Sequence, residues 1–183
     1  MSVLEVVEKF VSINGEGTKA GQLAVFIRFK GCNLNCKYCD TKWANEADAL
    51  AQKMTKEDTL EYVLSTGVKN VTLTGGEPLL RDGIEGVIEC LADNNLNVEI
   101  ETNGSIPLDN KDNVTFTMDY KLSCSGMEQA MRLENFSVLN KNDTVKFVAG
   151  CHEDLVRTKQ IIEKYNLYGK CNLYISPVFG MIE

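Results

Sequence analysis

Three cysteines within eight positions, Cys32, Cys36 and Cys39, are the residues whose type and spacing point most directly to chemistry. Thiolates this close together bind a soft metal ion or an iron–sulfur cluster. Structural zinc normally takes four protein ligands, but the sequence has no second pair of closely spaced cysteines and only one histidine, His152. Three thiolates on a four-iron cube leave one iron open to a substrate or cofactor. The alternatives are a reduced cysteine loop facing solvent and a zinc ion that takes a remote cysteine.

A glycine-rich segment follows about 35 residues after these cysteines and reads Thr74-Gly75-Gly76-Glu77-Pro78. Glycines lack a Cβ atom, so the backbone can approach a ligand closely and adopt unusual dihedral angles. Taken alone, the segment also fits an ordinary turn from a strand into a helix, with Pro78 near the helix start.

In this order and at this separation, the two motifs resemble the signature of the radical S-adenosylmethionine enzymes. The resemblance implies that Cys32, Cys36 and Cys39 bind a [4Fe–4S] cluster and that the amino and carboxylate groups of S-adenosylmethionine chelate the fourth iron. It also implies that Tyr38 lies near the adenine of the cofactor. The segment with Gly76 and Glu77 is expected to receive the cofactor's amino group.

Within this superfamily the chain is similar to the 7-carboxy-7-deazaguanine synthases over most of its length, including residues 10–17 and 26–28. The resemblance implies contacts to a pterin substrate from Ile13, Asn14, Gly15, Glu16, Arg28 and Thr74. The guanidinium of Arg28 can form two parallel hydrogen bonds to a carboxylate. An ion pair with a neighbouring acidic residue on the strand is the alternative for Arg28.

Asp40 and Thr41 directly follow Cys39, as they do in the synthase family, and the resemblance implies that the Thr41 hydroxyl binds Mg²⁺. Magnesium keeps several of its waters and therefore needs few protein ligands. A turn or a helix cap is the alternative for this pair. Farther along the chain, the resemblance implies a further set of S-adenosylmethionine contacts. These residues are Asp119, Lys121, Ser176, Pro177, Val178 and Phe179.

Regular elements that can position these residues follow from the hydrophobic pattern. Apolar and β-branched runs predict strands at 23–30, 70–74, 97–102, 114–119, 144–148 and 172–175, with an extra extended segment near 6–12. Helical spacing predicts helices at 56–65, 83–94 and 153–165, the first with an approximate capping box from Thr55 and Asp58. This alternation favours an α/β fold with a parallel sheet, an incomplete TIM-type barrel of about six strands. Chemistry in such folds takes place at the carboxyl ends of the strands, and each motif follows a strand.

The other four cysteines, Cys90, Cys124, Cys151 and Cys171, are scattered, and an odd total of seven prevents complete pairing within the chain. Nothing in the sequence indicates export to an oxidising compartment, so a disulfide framework is not expected. Cys90 on a predicted apolar helix face and Cys171 at a strand start are typical of small buried hydrophobes. Cys151 precedes a predicted helix, which does not favour a catalytic pair with His152.

Composition and charge narrow the class of protein. The 183 residues are 44% hydrophobic and 25% charged, which is typical of soluble globular proteins. The longest apolar run, residues 23–27, is far shorter than the roughly 20 residues of a membrane span, and no signal peptide is recognisable. A net charge of −7 disfavours binding to nucleic acid. We therefore expect one cytoplasmic domain, residues 1–183, with neither membrane nor nucleic acid as a partner.

The resemblance predicts a lyase that converts 6-carboxy-5,6,7,8-tetrahydropterin to 7-carboxy-7-deazaguanine, with loss of ammonia, on the route to queuosine and other 7-deazapurines. Its expected cofactors are a [4Fe–4S] cluster, S-adenosylmethionine and Mg²⁺, its electron donor a flavodoxin or ferredoxin, and its assembly a homodimer. Synthases of this family usually continue into a C-terminal strand and tail, so a compact variant or a missing tail is expected. The alternatives are a glycyl-radical activase and a non-enzymatic iron–sulfur or metal-binding module.

Overall fold

An eight-stranded mixed β-sheet organises the computed structural model, which describes residues 2–15 and 17–181. The strands are β1 (Leu4–Ile13), β2 (Leu23–Phe29), β3 (Gln52–Met54), β4 (Asn70–Gly75), β5 (Asn97–Thr102), β6 (Val114–Tyr120), β7 (Thr144–Ala149) and β8 (Asn172–Pro177). Their order across the sheet is β3-β1-β2-β4-β5-β6-β7-β8. Strand β2 and strands β4 to β8 pair in parallel. The six predicted core strands and the incomplete barrel are therefore confirmed.

Two antiparallel strands extend one edge of this parallel sheet. The extended segment predicted near residues 6–12 is β1, which pairs antiparallel with β2, and β3 in turn pairs antiparallel with β1. The sequence did not predict β3. It has only three residues, of which Met54 alone is buried, and three residues are too few to show the alternation that identifies a strand.

The helices lie at the predicted positions, with one addition. They are α1 (Lys56–Thr66), α2 (Ile84–Asp93), α3 (Asn135–Val138) and α4 (His152–Lys164). The capping box of α1 is present, because the Asp58 backbone N–H donates to the Thr55 hydroxyl at 3.1 Å and the Thr55 backbone N–H donates to the Asp58 carboxylate at 2.8 Å. The single turn of α3 is too short for helical periodicity to predict it.

The two faces of the parallel sheet have different characters because successive side chains of a strand point to opposite faces. Leu73 of β4 and Ile100 of β5 belong to the hydrophobic core that includes the buried side of α2. The alternate residues face the inside of the barrel and are polar. There the buried Glu99 carboxylate accepts hydrogen bonds from Thr72 Oγ1 at 3.5 Å and from Thr117 Oγ1 at 2.7 Å. This inner face leads directly to the carboxyl edge of the sheet.

Among the described residues, no helix combines the length and apolar character needed to cross a membrane.

Candidate active site

The carboxyl ends of the parallel strands surround a cleft of about 570 Å³. Each strand contributes side chains from its inner face, which is polar except at Phe26 and Val148. The strand-end residues that line the cleft are Arg28, Thr74, Glu101, Asp119, Val148 and Ser176. The cleft therefore lies at the edge of the sheet where the sequence predicted the chemistry.

Most of the site residues predicted from the sequence meet in this one cleft. They are Asn14, Gly15, Arg28, Cys32, Cys36, Tyr38, Cys39, Thr41, Thr74, Gly76, Asp119, Lys121, Ser176, Pro177, Val178 and Phe179. Ile13 does not line the cleft and is 65% exposed at the end of β1, and Glu16 lies outside the described residues. Phe179 touches only the mouth, because its side chain is fully exposed.

The cysteine loop, residues 32–39, forms one wall of the cleft. Cys36 is buried, whereas Cys32 and Cys39 are partly exposed, and all three are free thiols. Two contacts hold the middle of the loop. The Lys37 backbone N–H donates to the Ser125 carbonyl at 3.0 Å, and the Tyr38 hydroxyl donates to the Val148 carbonyl at 3.2 Å. The loop is thus anchored to the turn that follows β6 and to strand β7 itself.

The donor set of the cysteine loop fits an iron–sulfur cluster. Cys32 Sγ accepts from the Leu34 backbone N–H at 3.4 Å and from Asn103 Nδ2 at 3.5 Å, and such N–H donors tune the potential of a cluster through its sulfur atoms. In the described part of the chain, the three loop sulfurs do not all lie within 4.8 Å of one another. Ligands of one ion lie that close, whereas ligands on separate irons of a cube are farther apart.

A buried ion pair lies beside the cysteine loop. Lys121 Nζ is 2.8 Å from Asp119 Oδ2, and both side chains are largely buried. Burial alone would lower the pKa of Lys121, but the Asp119 carboxylate outweighs it and raises that pKa above its usual range. Burial raises the pKa of the Cys36 thiol, and the Lys121 charge opposes this shift. Lys121 therefore stays protonated and offsets part of the rise in the Cys36 pKa.

The other oxygen of Asp119 is an acceptor without a donor. Asp119 Oδ1 is buried and has no hydrogen-bond partner among the described residues, and Asp119 lines the cleft. Buried polar atoms are normally hydrogen-bonded, so this oxygen fits a donor brought by a ligand, such as a ribose hydroxyl. Tyr38 lies in the same region, where burial and then the Asp119 charge raise its pKa to about 12. Its hydroxyl is therefore neutral at physiological pH.

The two glycines of the glycine-rich segment are required by the backbone next to them. Gly75 has a φ of +137°, and a Cβ atom there would overlap the backbone of Phe29, while a Cβ atom on Gly76 would overlap the Gly31 carbonyl. Gly76 N–H donates to the Phe29 carbonyl at 3.2 Å, and Glu77 N–H donates to the Gly31 carbonyl at 3.0 Å. The glycines thus let the end of β4 pack directly against the start of the cysteine loop, in addition to exposing backbone to the cleft.

The placement of Glu77 changes the role expected for it. Its side chain is fully buried and does not line the cleft. The carboxylate accepts from the backbone N–H groups of Leu79 at 3.0 Å and Asn103 at 2.7 Å, and from the Thr102 hydroxyl at 2.9 Å. These donors occupy both oxygens, so in this structure Glu77 joins the ends of β4 and β5 and offers no carboxylate oxygen to a ligand in the cleft.

Arg28 combines the two roles considered for it. Its side chain lines the cleft, and its Nε donates to Glu8 Oε2 at 2.9 Å across β1 and β2. The Glu8 side chain is 42% exposed, so this pair is near solvent and contributes little to stability. A ligand carboxylate in the cleft can therefore replace Glu8 or share the guanidinium with it.

Sequence reasoning missed several residues of the cleft. Asn103 contacts Cys32, and Asn45 lies in the cleft wall with a buried Oδ1 atom that has no partner among the described residues. Asn103 directly follows β5, at the strand edge where chemistry was expected, which was a usable signal. No pattern identifies Asn45, because its position depends on the turn at Lys42–Asn45 that packs it near Gly76.

Comparison with known proteins agrees with this site. The radical SAM superfamily matches residues 26–119, which include the cysteine loop, the glycine-rich segment and Asp119. The fold and the site are thus those of a radical S-adenosylmethionine enzyme.

Curated relatives narrow the class further. The chain is 60% identical to a 7-carboxy-7-deazaguanine synthase of Clostridium acetobutylicum over 98% of this chain and 83% of the relative. It is 35% identical to one of Chlorobaculum tepidum over 98% and 82% of the two chains. The crystal structure of QueE from Escherichia coli shares the fold with a TM-score of 0.79 at 24% identity, covering 97% of this chain and 85% of that one. The chain belongs to the 7-carboxy-7-deazaguanine synthase family.

Proposed function

We propose that this protein converts 6-carboxy-5,6,7,8-tetrahydropterin to 7-carboxy-7-deazaguanine with release of ammonia. The observation that carries the proposal is that one cleft is lined by a three-cysteine loop, by Arg28 and by Asp119, whose Oδ1 has no partner among the described residues. The first two features suit a cluster and S-adenosylmethionine, and the arginine suits an anionic substrate. The synthase from Clostridium acetobutylicum, at 60% identity, supports the same reaction.

The cysteine loop would hold the [4Fe–4S] cluster through Cys32, Cys36 and Cys39, and Asp119 and Lys121 would bind the cofactor. Bound there, the cluster and S-adenosylmethionine supply a carbon-centred radical that removes a hydrogen atom from the substrate. Asp119 Oδ1, which has no partner among the described residues, would accept from a hydroxyl of the ribose, and the Lys121 ammonium would attract the carboxylate of the cofactor. These contacts orient the reacting carbon toward the substrate.

The adenine of the cofactor would lie between the Tyr38 side chain and the end of β8. Ser176, Pro177 and Val178 line this part of the cleft, and the Val178 backbone N–H donates to the Ala149 carbonyl at 2.8 Å. That bond fixes the backbone after β8. The exposed Phe179 ring would cover the adenine only after a change of side-chain rotamer, which is a small movement for an exposed aromatic residue.

The pterin would occupy the wall formed by β1, β2 and β4, with Asn14, Gly15, Arg28 and Thr74 as its contacts. Arg28 would bind the substrate carboxylate with its fork of N–H donors. Asn14 is held from below, because its Nδ2 donates to Glu99 Oε2 at 2.9 Å. We propose Glu16 as an acceptor for the N–H groups of the pterin edge.

We also propose that Thr41 contributes to a Mg²⁺ site beside the cluster. The Thr41 hydroxyl is 3.6 Å from Cys39 Sγ and lines the cleft with Asp40. Thr41 precedes the turn Lys42–Asn45, yet its side chain makes no capping hydrogen bond there, so the hydroxyl is not used as a helix cap. Mg²⁺ would orient the substrate carboxylate and stabilise negative charge during the rearrangement.

The remaining partners are proposals of the same kind. We propose that a flavodoxin or ferredoxin supplies electrons, that the protein forms a homodimer, and that it functions in the cytoplasm as one domain.

The decisive experiment is an anaerobic assay of the reconstituted protein with the carboxypterin, S-adenosylmethionine, Mg²⁺ and a reductant. We expect 7-carboxy-7-deazaguanine and one ammonia per product. Cofactor cleavage without conversion of the pterin would contradict the proposal and favour an activase. Absence of cofactor cleavage in protein with full iron content would favour a non-enzymatic iron–sulfur module.

A further inference from the structure

Two cysteines outside the cleft lie in direct contact with each other. Cys124 belongs to the turn Ser123–Ser125 after β6, and Cys151 precedes α4 after β7. The Cys124 thiol donates to Cys151 Sγ, with 3.0 Å between the sulfur atoms. Both residues are partly exposed free thiols, and neither lines the cleft. The proposed reaction uses neither of them.

The local sequence holds this pair together. Asp154 is buried, and its carboxylate accepts from Ser123 Oγ at 2.8 Å, the Cys124 backbone N–H at 3.3 Å and the Gly150 backbone N–H at 2.9 Å. A side chain at Gly150 would place its Cβ 2.9 Å from Cys124 Cβ, closer than packed carbon atoms allow. The absence of that side chain and the Asp154 bonds bring the two segments to their observed separation.

The pair is better suited to a disulfide than to a metal ion. Cys124, Cys151 and Asp154 offer three possible ligands within 4.8 Å of one another. The Asp154 oxygens, however, are already occupied by three donors, and a carboxylate has about four acceptor sites. Two thiolates on one tetrahedral zinc lie about 3.8 Å apart, so a metal would have to separate the sulfurs as well as displace donors from Asp154. A disulfide requires only that the sulfurs approach each other.

Residues near these two cysteines in the chain anchor the cysteine loop. Ser125, next to Cys124, accepts the hydrogen bond from the Lys37 backbone, and Val148, three residues before Cys151, accepts the one from the Tyr38 hydroxyl. Lys37 and Tyr38 lie between two of the cluster cysteines. A covalent bond between Cys124 and Cys151 would therefore tie the turn that holds one anchor, Ser125, to the end of the strand that holds the other, Val148.

We propose that Cys124 and Cys151 form a reversible dithiol–disulfide pair that restrains the cysteine loop when oxidised. One thiolate attacks a low-molecular-weight disulfide, forms a mixed disulfide and releases one small thiol. The second cysteine then displaces the remaining small thiol and closes the Cys124–Cys151 bond. Two electrons pass from the protein to the small disulfide, and the two protons leave with the released thiols. The pair is independent of the pterin, so this inference goes beyond the proposed reaction.

The test uses the anaerobic, cluster-loaded protein in buffers with a graded ratio of oxidised to reduced glutathione. After acid quenching and alkylation, peptide mass spectrometry should find a Cys124–Cys151 disulfide that dithiothreitol reverses. Cys90, a partly exposed thiol in α2, serves as the matched control and should form no protein disulfide. In the same samples, release of iron to a chelator should be at least about threefold slower in the oxidised form. Cys124→Ser and Cys151→Ser should make this rate independent of the glutathione ratio.

Several outcomes would overturn the proposal. One is that Cys124 and Cys151 remain open to alkylation at a ratio that already modifies Cys90. Another is that each carries its own glutathione, or that stoichiometric Zn²⁺ protects both from alkylation and is retained after dialysis. Equal iron release from the two forms would refute the restraint on the cysteine loop.

Discussion

Removing the Glu77 carboxylate tests whether this residue positions the strand ends, as its contacts indicate. In Glu77→Gln, the new amide NH₂ replaces one carboxylate oxygen and faces a backbone N–H, either that of Leu79 or that of Asn103. The Thr102 hydroxyl can rotate to accept from the amide, but a backbone N–H cannot. One buried donor is thus left unsatisfied, which costs about 1–3 kcal/mol.

Glu77→Ala should cost more than the glutamine variant because it leaves both backbone N–H groups and the Thr102 hydroxyl without an acceptor. With about 1–3 kcal/mol for each unsatisfied donor and partial relief from entering water, we expect a loss of about 3–5 kcal/mol. Anaerobic urea unfolding of the reconstituted protein measures these differences. Glu85→Gln, at an exposed position of α2, is the matched control and should change the free energy of unfolding by less than about 0.5 kcal/mol.

Glu77→Gln should also affect the cluster and the pH dependence of the free energy of unfolding. The Asn103 backbone N–H donates to Glu77, and the Asn103 side chain donates to Cys32 Sγ. Because Glu77 thus positions a donor to a cluster ligand, Glu77→Gln should also change the electron paramagnetic resonance spectrum of the reduced cluster. Burial raises the pKa of Glu77, opposed by the bonds from Asn103, Leu79 and Thr102. A raised pKa in the folded state means that the free energy of unfolding falls as pH rises through it, and the glutamine variant should lack this slope. Wild-type stability and an unchanged cluster spectrum in both variants would refute the positioning role.

Three further predictions address the cleft itself. Cys36→Ala should abolish the iron–sulfur chromophore, whereas Cys90→Ser should keep wild-type iron and sulfide content; loss of iron in the serine variant would show that the ligands are miscounted. Arg28→Ala should lower kcat/KM for the pterin about tenfold to a hundredfold without reducing cofactor cleavage. Glu8→Gln, which removes only the observed partner of Arg28, should leave kcat/KM near the wild-type value, and equal pterin kinetics in the two variants would contradict the substrate role. Thr41→Val should slow turnover about tenfold to a hundredfold and remove its dependence on Mg²⁺, whereas Thr41→Ser should keep the wild-type rate and the Mg²⁺ dependence. Wild-type activity that is equal with and without Mg²⁺ would exclude this metal site.

Local pattern explains what the sequence could predict. The six parallel strands show β-branched or apolar runs, the start of α1 has both partners of its capping box within four residues, and the motifs follow strand ends. These signals involve residues close together in the chain, so they can be recognised without knowledge of the fold. The superfamily match over residues 26–119 depends on the same local motifs.

Contacts between distant segments explain what the sequence could not predict. Glu77 reaches donors about 25 residues away, and the contact between Cys124 and Cys151 exists because β6 and β7 are neighbours in the sheet. Sheet order had to be known before either contact could be seen. The three-residue β3 and the single turn of α3 were missed for a different reason, since neither is long enough to show a period.

The alternation of side chains along the strands also accounts for how the substrate wall is supported. The residue two positions before each strand-end group lies on the same inner face, so Glu99 lies below Glu101 and Thr72 below Thr74. The Glu99 carboxylate accepts a hydrogen bond from Asn14 Nδ2. The Asn14 backbone in turn closes the turn after β1, because its N–H donates to the Gln22 carbonyl at 2.7 Å and its carbonyl accepts from the Gly21 N–H at 2.8 Å. Asn14, one of the proposed pterin contacts, is therefore held by a carboxylate from the centre of the sheet. Because a buried, satisfied polar network is rigid, the wall proposed for the pterin would be ordered before any substrate enters, and less of the binding free energy would be lost to ordering it.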